Sequence, residues 1–206
     1  MKNKIIKEYL IELNPNPECP LDYNLDYELL IATVLSAQST DVQVNKCTKV
    51  LFAKYNLETL SKANLEDVVE IIRSTGNMYK KSKYIIEIAT RLLSDHNGKV
   101  PNDREYLEKL PGVGRKTTNV VLSTLFHEQA FAVDTHIERV AKRLGIAEES
   151  DSVFEVEQKL MEYFKDDDWS IKHLQVLLFG RFICKSKNPL CDTCKLKEFC
   201  TNSKRS

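Results

Sequence analysis

The sequence has few residues that mark unstructured chains, no excess of charge of one sign and no long apolar run. Only six of its 206 residues are glycine and six are proline, which excludes collagen-like and linker-like chains. The apolar stretch of residues 29–35 is interrupted by Thr33 and is far shorter than the roughly 18 residues of a membrane span. The charged N-terminus lacks the apolar core of a secretion signal. We therefore expect a soluble, cytoplasmic protein with no membrane partner.

Apolar residues recur at helical spacing along nearly the whole chain, and sustained strand alternation is absent. One such helix should end at Asn97-Gly98. Two others should begin at capping boxes, formed by Thr135 with Glu138 and by Ser152 with Glu155. The pattern predicts an all-α protein of about ten short helices.

Basic side chains are clustered although 30 of them balance 30 acidic ones. Residues 73–83 carry Arg73, Lys80, Lys81 and Lys83 without an acid, and residues 184–206 are also basic. Such clusters can bind a polyanion when they share a face. Lysines on a solvated helix surface explain each cluster equally well, so charge alone does not choose between these interpretations.

Four of the six cysteines lie in the last 23 residues, with the spacing C-x6-C-x2-C-x5-C. Disulfides are rare in a reducing cytosol, so this group indicates a metal site. Four thiolates suit either a tetrahedral zinc or a [4Fe–4S] cluster, and their softness allows both. Zinc sites usually contain two close C-x2-C pairs, whereas this segment contains one. The four cysteines are Cys184, Cys191, Cys194 and Cys200.

The segment Leu110-Pro-Gly-Val-Gly-Arg-Lys-Thr117 joins a short predicted helix at 103–109 to an apolar helix. Its two glycines allow a tight turn that exposes backbone N–H groups at a helix N-terminus, where an anion such as phosphate is favoured. A plain turn between helices is the alternative. Lys116 would lie at the positive helix end beside Arg115, and both favour a neutral, nucleophilic amine. A lysine here could instead simply pair with phosphate.

Two further segments contain polar residues next to predicted helices. Asp134 precedes a helix, where an aspartate is ordinarily an N-cap or a surface turn residue. Thr135 is a competing N-cap candidate, and if it is the cap, the Asp134 carboxylate is free to project into a cleft. Such a carboxylate could stabilise a developing positive charge and help to move protons. Gln38 follows the apolar helix of residues 29–35 in Leu-Ser-Ala-Gln-Ser-Thr-Asp and could be an ordinary helix-end residue.

These four motifs, in their order along the chain, resemble those of the DNA glycosylases related to endonuclease III, over roughly residues 20–200. The resemblance implies a bifunctional DNA glycosylase and apurinic/apyrimidinic lyase of base excision repair that acts on oxidised or damaged pyrimidines, such as thymine glycol. Lys116 would attack C1′ of a flipped nucleotide and form a Schiff base, after which β-elimination breaks the strand. Asp134 would assist departure of the base.

The resemblance also assigns DNA contacts. The hairpin would grip the phosphate backbone, Gln38 would enter the duplex beside the flipped base, and the loop of the first cysteine would contact phosphates. After Gly76, where relatives usually carry a bulky apolar or aromatic residue, this chain has Asn77, so either Asn77 or Met78 would act as the second inserted residue. The remaining expected contacts are Gly112, Val113, Gly114, Arg115, Thr117, His136, Lys185 and Lys187.

By the same resemblance, the four cysteines would hold a structural [4Fe–4S] cluster, and a monovalent cation would bind at the hairpin. A continuous six-helix domain of residues 22–132 would contain the helix-hairpin-helix. Residues 1–21 and 133–206 would form the cluster domain. We expect a nucleoid-associated monomer that binds double-stranded DNA with damaged bases or abasic sites.

Three alternatives remain open at this point. Adenine-removing mismatch glycosylases share the hairpin, the aspartate and the cluster, but they generally lack the lysine and carry an extra C-terminal domain. A non-catalytic DNA-binding module would use the hairpin and the cysteine loop without cleaving a strand. A plain zinc protein would lack the brown colour of an iron–sulfur protein.

Overall fold

The computed structural model describes residues 2–201, which contain eleven α-helices, two short 3-10 helices and no strand. The all-α prediction is confirmed, with one helix more than the ten expected. None of the helices in this described range is long and apolar enough to cross a lipid bilayer. The chain divides into two compact units, one of residues 19–126 and one of residues 1–18 with 127–206.

The unit of residues 19–126 is built around α2 (Asp26–Leu35), whose residues 27–35 are all buried. A helix that is buried on every side must be surrounded by others, and α2 contacts α3 (Asp41–Lys54), α6 (Met78–His96) and α8 (Arg115–Phe126). The unit contains seven helices rather than the six expected, because the four-residue α4 and the five-residue α7 are separate elements. These helices are α2 Asp26–Leu35, α3 Asp41–Lys54, α4 Leu57–Leu60, α5 Leu65–Ile72, α6 Met78–His96, α7 Arg104–Glu108 and α8 Arg115–Phe126.

The other unit combines the N-terminal helix with the helices that follow residue 127. Its core contains Phe131 stacked on Phe164, with ring centroids 5.9 Å apart. Because Phe131 and Val133 pack into this core, the second unit begins at His127 and not at the expected residue 133. Its helices are α1 Lys2–Leu13, α9 Thr135–Arg143, α10 Val153–Tyr163 and α11 Trp169–Phe182.

Helix ends follow the sequence signals in two of three cases. α6 ends at His96, and Asn97 and Gly98 then adopt left-handed backbone angles. Ser152 and Glu155 form the expected capping box at the start of α10. The capping box expected from Thr135 and Glu138 is wrong, because Thr135 is the first residue of α9 and Asp134 is its N-cap.

Candidate nucleic-acid interface and catalytic residues

The hairpin between α7 and α8 is fixed by two apolar anchors. Leu110 and Val113 are buried, and the Val113 N–H donates to the Leu110 carbonyl over 3.2 Å. The side chain of Val113 therefore belongs to the core, and only its backbone is available for an external contact. Around the buried Val113, this arrangement presents Pro111, Gly112, Gly114 and Arg115 at the surface.

The fold requires glycine at one of the two hairpin positions and not at the other. Gly112 has a φ of +76°, and a Cβ added there would lie 2.4 Å from Cδ2 of Tyr84, so only glycine fits between the turn and α6. Gly114 has no atom within 4 Å of an added Cβ. The fold therefore does not require glycine at position 114, where the exposed backbone is open to close approach by a ligand.

Lys116 is exposed in the first turn of α8, beside the exposed Arg115 and the half-buried Thr117. The opposite side of α8 holds this turn in place, because Thr118, Val121 and Leu122 are buried. The first N–H groups of any helix lack intrahelical acceptors and favour a negatively charged ligand. An exposed primary amine thus stands at an anion-binding helix end.

Gln38 and Asn77 come from loops 39 residues apart in sequence and meet in the structure. The Asn77 side-chain amide donates to Oε1 of Gln38 over 3.3 Å. Both residues have left-handed backbone angles, with φ of 57° and 47°, and both are exposed. Met78 is half-buried and packs against the core. Of the two candidates that follow Gly76, Asn77 is the one that is presented beside Gln38.

Lys81 differs from the other basic residues of segment 73–83. Its side chain is buried, with 5% of its surface exposed, whereas Arg73, Lys80 and Lys83 are exposed. Neither interpretation of this basic segment, a shared polyanion-binding face or solvated surface lysines, describes Lys81. The Lys81 ammonium donates to the backbone of the two loops that carry Gln38 and Asn77.

Asp134 caps α9, although Thr135 was expected to do so. Its Oδ1 accepts hydrogen bonds from the N–H groups of His136 and Ile137, each over 2.9 Å. A side chain directly before the first helical residue can reach the free N–H groups of the first turn. Asp134 has this position, so its carboxylate and not the Thr135 hydroxyl accepts from them. Both bonds use one oxygen, and no described residue donates to Oδ2. The carboxylate is half-buried, held in a fixed direction and still has one oxygen available.

His136 and Arg139 lie on successive turns of α9. Nη2 of Arg139 lies 3.3 Å from Nδ1 of His136, and the guanidinium also donates to the carbonyls of Gly180 and Cys184. His136 thus has a side-chain partner within its own helix, and its contact with DNA stays a prediction. The loop after Cys184 presents a half-buried Lys185 and an exposed Lys187.

The four clustered cysteines line one cavity that is partly open to solvent. Within the described residues none of the four forms a disulfide, and all are half-buried. Within residues 2–201, no group of three or more His, Cys, Asp or Glu side chains is arranged so that it could hold a single metal ion. Four thiols around one space fit the ligand chemistry of an iron–sulfur cluster. The cavity is lined further by apolar residues, including Leu144, Phe179 and Leu196.

Arg143 contacts Cys184, the first of the four clustered cysteines. Its Nη1 lies 3.4 Å from Sγ of Cys184 and donates to the Lys185 carbonyl over 2.8 Å. Burial raises the pKa of the Cys184 thiol, and the Arg143 guanidinium opposes that rise. Burial also raises the pKa of the Cys194 thiol. The arginine provides a positive charge where thiolates would otherwise be unfavourable.

Known proteins share both the sequence and the fold. Residues 31–166 match the model of the HhH-GPD superfamily base excision DNA repair proteins. Endonuclease III of Bacillus subtilis (strain 168) is 45% identical over 195 residues, which cover 94% of this chain and 89% of the relative. The chain belongs to the endonuclease III family. The Escherichia coli (strain K12) endonuclease III is 42% identical over 192 residues, 93% of this chain and 90% of the relative.

Solved structures of endonuclease III extend this agreement to the whole fold. An endonuclease III in a trapped covalent intermediate with DNA matches with a TM-score of 0.93 and 44% identity, covering 100% of this chain and 98% of that one. A non-covalent endonuclease III–DNA complex matches with a TM-score of 0.94 and 45% identity, covering 100% and 97%. Members of this family usually contain a [4Fe–4S] cluster.

Three residues of this endonuclease III family member were not identified from the sequence. Lys81, Arg139 and Arg143 each connect backbone carbonyls from distant segments. Basic residues on helices normally face solvent, so sequence patterns predict exposed lysines and arginines there. For Lys81 a weak signal exists, since it lies four residues before the buried Ile85 and three residues after the half-buried Met78, and thus on the apolar side of α6.

Proposed function

We propose that this chain is a bifunctional DNA glycosylase and apurinic/apyrimidinic lyase that removes oxidised or damaged pyrimidines during base excision repair. Membership of the endonuclease III family supports the reaction class. The observation that carries the assignment to particular residues is the exposed amine of Lys116 in the first turn after the hairpin. We further propose that the chain acts as a monomer on double-stranded DNA.

In the proposed reaction the hairpin binds the DNA backbone through N–H groups around Gly114 and the start of α8. The damaged nucleotide leaves the stack, because its C1′ cannot be reached inside a duplex. Nζ of Lys116 then forms a bond to C1′ while the bond between C1′ and the base nitrogen breaks. The electron pair of the broken bond leaves with the base, which takes up a proton, and the lysine nitrogen loses one.

The second stage begins when the bond between C1′ and the ring oxygen O4′ breaks, as the lone pair of the Lys116 nitrogen forms a double bond to C1′. O4′ leaves with its electron pair and takes up a proton. The resulting imine between Lys116 and C1′ acts as an electron sink. The imine acidifies the proton at C2′, and its removal forms a C2′–C3′ double bond as the bond from C3′ to the phosphate oxygen breaks. The strand is thereby cut 3′ to the lesion, and water later releases the lysine. Oδ2 of Asp134 would stabilise positive charge at C1′ during the first stage, while Oδ1 keeps the carboxylate oriented.

Strand cleavage distinguishes this function from DNA binding alone. We expect the protein to cut duplexes that contain thymine glycol or an abasic site without alkali or heat, and to leave the undamaged duplex intact. Gel separation of end-labelled strands measures both outcomes. Binding of the abasic duplex without any cut would instead support the non-catalytic DNA-binding module.

The hairpin glycines provide a matched pair of variants. Gly112→Ala should destabilise the protein by about 2 kcal/mol or more, because it combines a left-handed backbone angle with a clash against Tyr84. Gly114→Ala should leave the melting temperature within about 2 °C, since its Cβ meets no protein atom. It should nevertheless weaken binding to duplex DNA about tenfold, because the methyl group keeps phosphate away from the backbone.

Thermal melting and DNA titrations of both variants measure these effects. Native DNA affinity in Gly114→Ala would contradict backbone binding at the hairpin.

We also propose that Cys184, Cys191, Cys194 and Cys200 hold a [4Fe–4S] cluster whose role is structural. When bound, the cluster would replace thiol protons with iron and fix the loop that carries Lys185 and Lys187. The purified protein should contain about four iron atoms and about four acid-labile sulfides per chain. Cys191→Ser should lose most of this iron, whereas Cys19→Ser, outside the cavity, should retain it. One zinc per chain without labile sulfide would contradict the proposal.

A further inference from the structure

The buried ammonium of Lys81 joins two loops that would otherwise be independent. It donates to the carbonyls of Leu35 and Ala37, over 2.9 and 2.7 Å, at the C-terminal end of α2. It also donates to the Thr75 carbonyl and lies 3.2 Å from Oγ of Ser39. The three protons of one ammonium are thus shared among four oxygens from both loops.

The environment of Lys81 indicates a specific purpose for its charge. The carbonyls at the C-terminal end of α2 attract a cation, and this attraction offsets part of the free-energy cost of burying the Lys81 ammonium. Burial lowers the pKa of the Lys81 ammonium. An apolar residue would fill the same space without this penalty but could not satisfy the three carbonyls. The lysine therefore fixes the relative position of the loop backbones in a way that packing alone would not.

The two loops present their exposed tips, Gln38 and Asn77, next to each other. Gln38 follows the Lys81-bound carbonyl of Ala37, and Asn77 lies two residues after the Lys81-bound carbonyl of Thr75. Oγ of Ser39 donates to the Thr75 carbonyl and adds a direct connection between the loops. Both tips have left-handed backbone angles, and their amides are hydrogen-bonded to each other. The tips are thus aligned before any DNA binds.

The joined amides retain hydrogen-bonding groups for a further partner. Asn77 uses one N–H toward Oε1 of Gln38, which leaves its Oδ1 and a second N–H, and Gln38 keeps its own NH₂ group. Donors and acceptors side by side match the edge of an unpaired base. An apolar residue in place of Asn77 would fill space in the duplex but would offer no such groups.

We propose that Lys81 is a positioning residue that holds Gln38 and Asn77 side by side as a two-amide probe for the base left unpaired opposite the lesion. This inference rests on the proposed function, because only an enzyme that flips a nucleotide leaves such a base behind. Lys81 itself touches neither DNA nor the reacting atoms. Its effect is on the recognition of the lesion and not on the hairpin's grip of the backbone.

The test uses a duplex with a tetrahydrofuran abasic analogue opposite 2-aminopurine, together with the matching undamaged duplex. Tetrahydrofuran cannot form a Schiff base, so the assay reports binding alone. We expect Lys81→Met to reduce the preference for the lesion duplex about tenfold and to remove most of the 2-aminopurine fluorescence change at saturation. Lys83→Met loses the same charge from an exposed position of α6 and should affect both duplexes equally. Equal lesion preference in the two variants would overturn the proposal.

A double-mutant cycle separates positioning from general stability. In a protein that already carries Gln38→Ala and Asn77→Ala, Lys81→Met should cause no further loss of lesion preference. An additional tenfold loss in that background would show that Lys81 acts by another route. If Lys81→Met does not fold, Ser39→Ala removes one connection between the loops and leaves the ammonium with three carbonyls. We expect about threefold less lesion preference in Ser39→Ala, and an unchanged preference would also overturn the proposal.

These results are distinguishable from failure of the proposed function. If the wild-type protein shows no preference for the lesion duplex, the glycosylase assignment itself fails. If it shows the preference and Lys81→Met keeps it fully, only the role of Lys81 is wrong.

Discussion

Lys116→Arg is expected to abolish strand cleavage at abasic sites while DNA affinity stays within about twofold of the wild type. Arginine keeps the positive charge at the start of α8, but its guanidinium cannot form the imine. Loss of a covalent nucleophile typically reduces the rate by a thousandfold or more, and we expect a decrease of at least about that size. Single-turnover cleavage of an abasic duplex, with affinity measured in parallel, provides the test.

The control for this variant is Lys109→Arg. Lys109 is also exposed and precedes the same hairpin. The two substitutions therefore change the same side chain in the same way, keep the charge and lie next to the same turn. It should leave the cleavage rate within about twofold. A Lys116→Arg protein that cuts at the wild-type rate would eliminate Lys116 as the nucleophile.

Asp134→Asn should retain DNA binding and folding while it loses about a hundredfold or more of the rate of base release. Asparagine caps helices about as well as aspartate, so its side-chain oxygen can still accept from the N–H groups of His136 and Ile137. What disappears is the negative charge on Oδ2, which would face developing positive charge at C1′. Release of thymine glycol under single-turnover conditions measures the effect.

Asp168→Asn is the matched control for this substitution. Asp168 caps α11 in the same unit, and its Oδ1 accepts from the N–H groups of Ser170 and Ile171. Both variants should lose a similar, small amount of stability, about 0.3–1 kcal/mol, from the helix-dipole interaction. Only the change at position 134 should slow base release. Equal rates in the two variants would limit Asp134 to a structural role.

The helical class was predictable because apolar spacing is a strong signal, and the helix end at Asn97-Gly98 is confirmed. The hairpin was also recognised from local sequence, since its glycines and the flanking apolar anchors lie within a few residues of each other. Local patterns of this kind are sufficient when the residues that interact are close in sequence.

Two features could not be predicted from the sequence. One is the N-cap of α9, for which two residues compete, and the other is the burial of Lys81, whose hydrogen-bond acceptors are distant in sequence. Asp134 and Thr135 were both able to cap α9, and only the backbone path decides which oxygen reaches the free N–H groups. Lys81 was grouped with exposed lysines because its acceptors lie 46 residues earlier, at Leu35, and six residues earlier, at Thr75. A buried charge that connects distant loops leaves almost no trace in sequence periodicity.

The central claim is that one amine, that of Lys116, becomes covalently joined to deoxyribose. Borohydride reduces such an imine to a stable bond, so the wild-type protein should form a cross-linked complex with an abasic duplex. Digestion of this complex and mass spectrometry should place the sugar adduct on the peptide that contains Lys116, at Nζ of that residue. An adduct on any other residue, or no adduct although the strand is cut, would contradict the account.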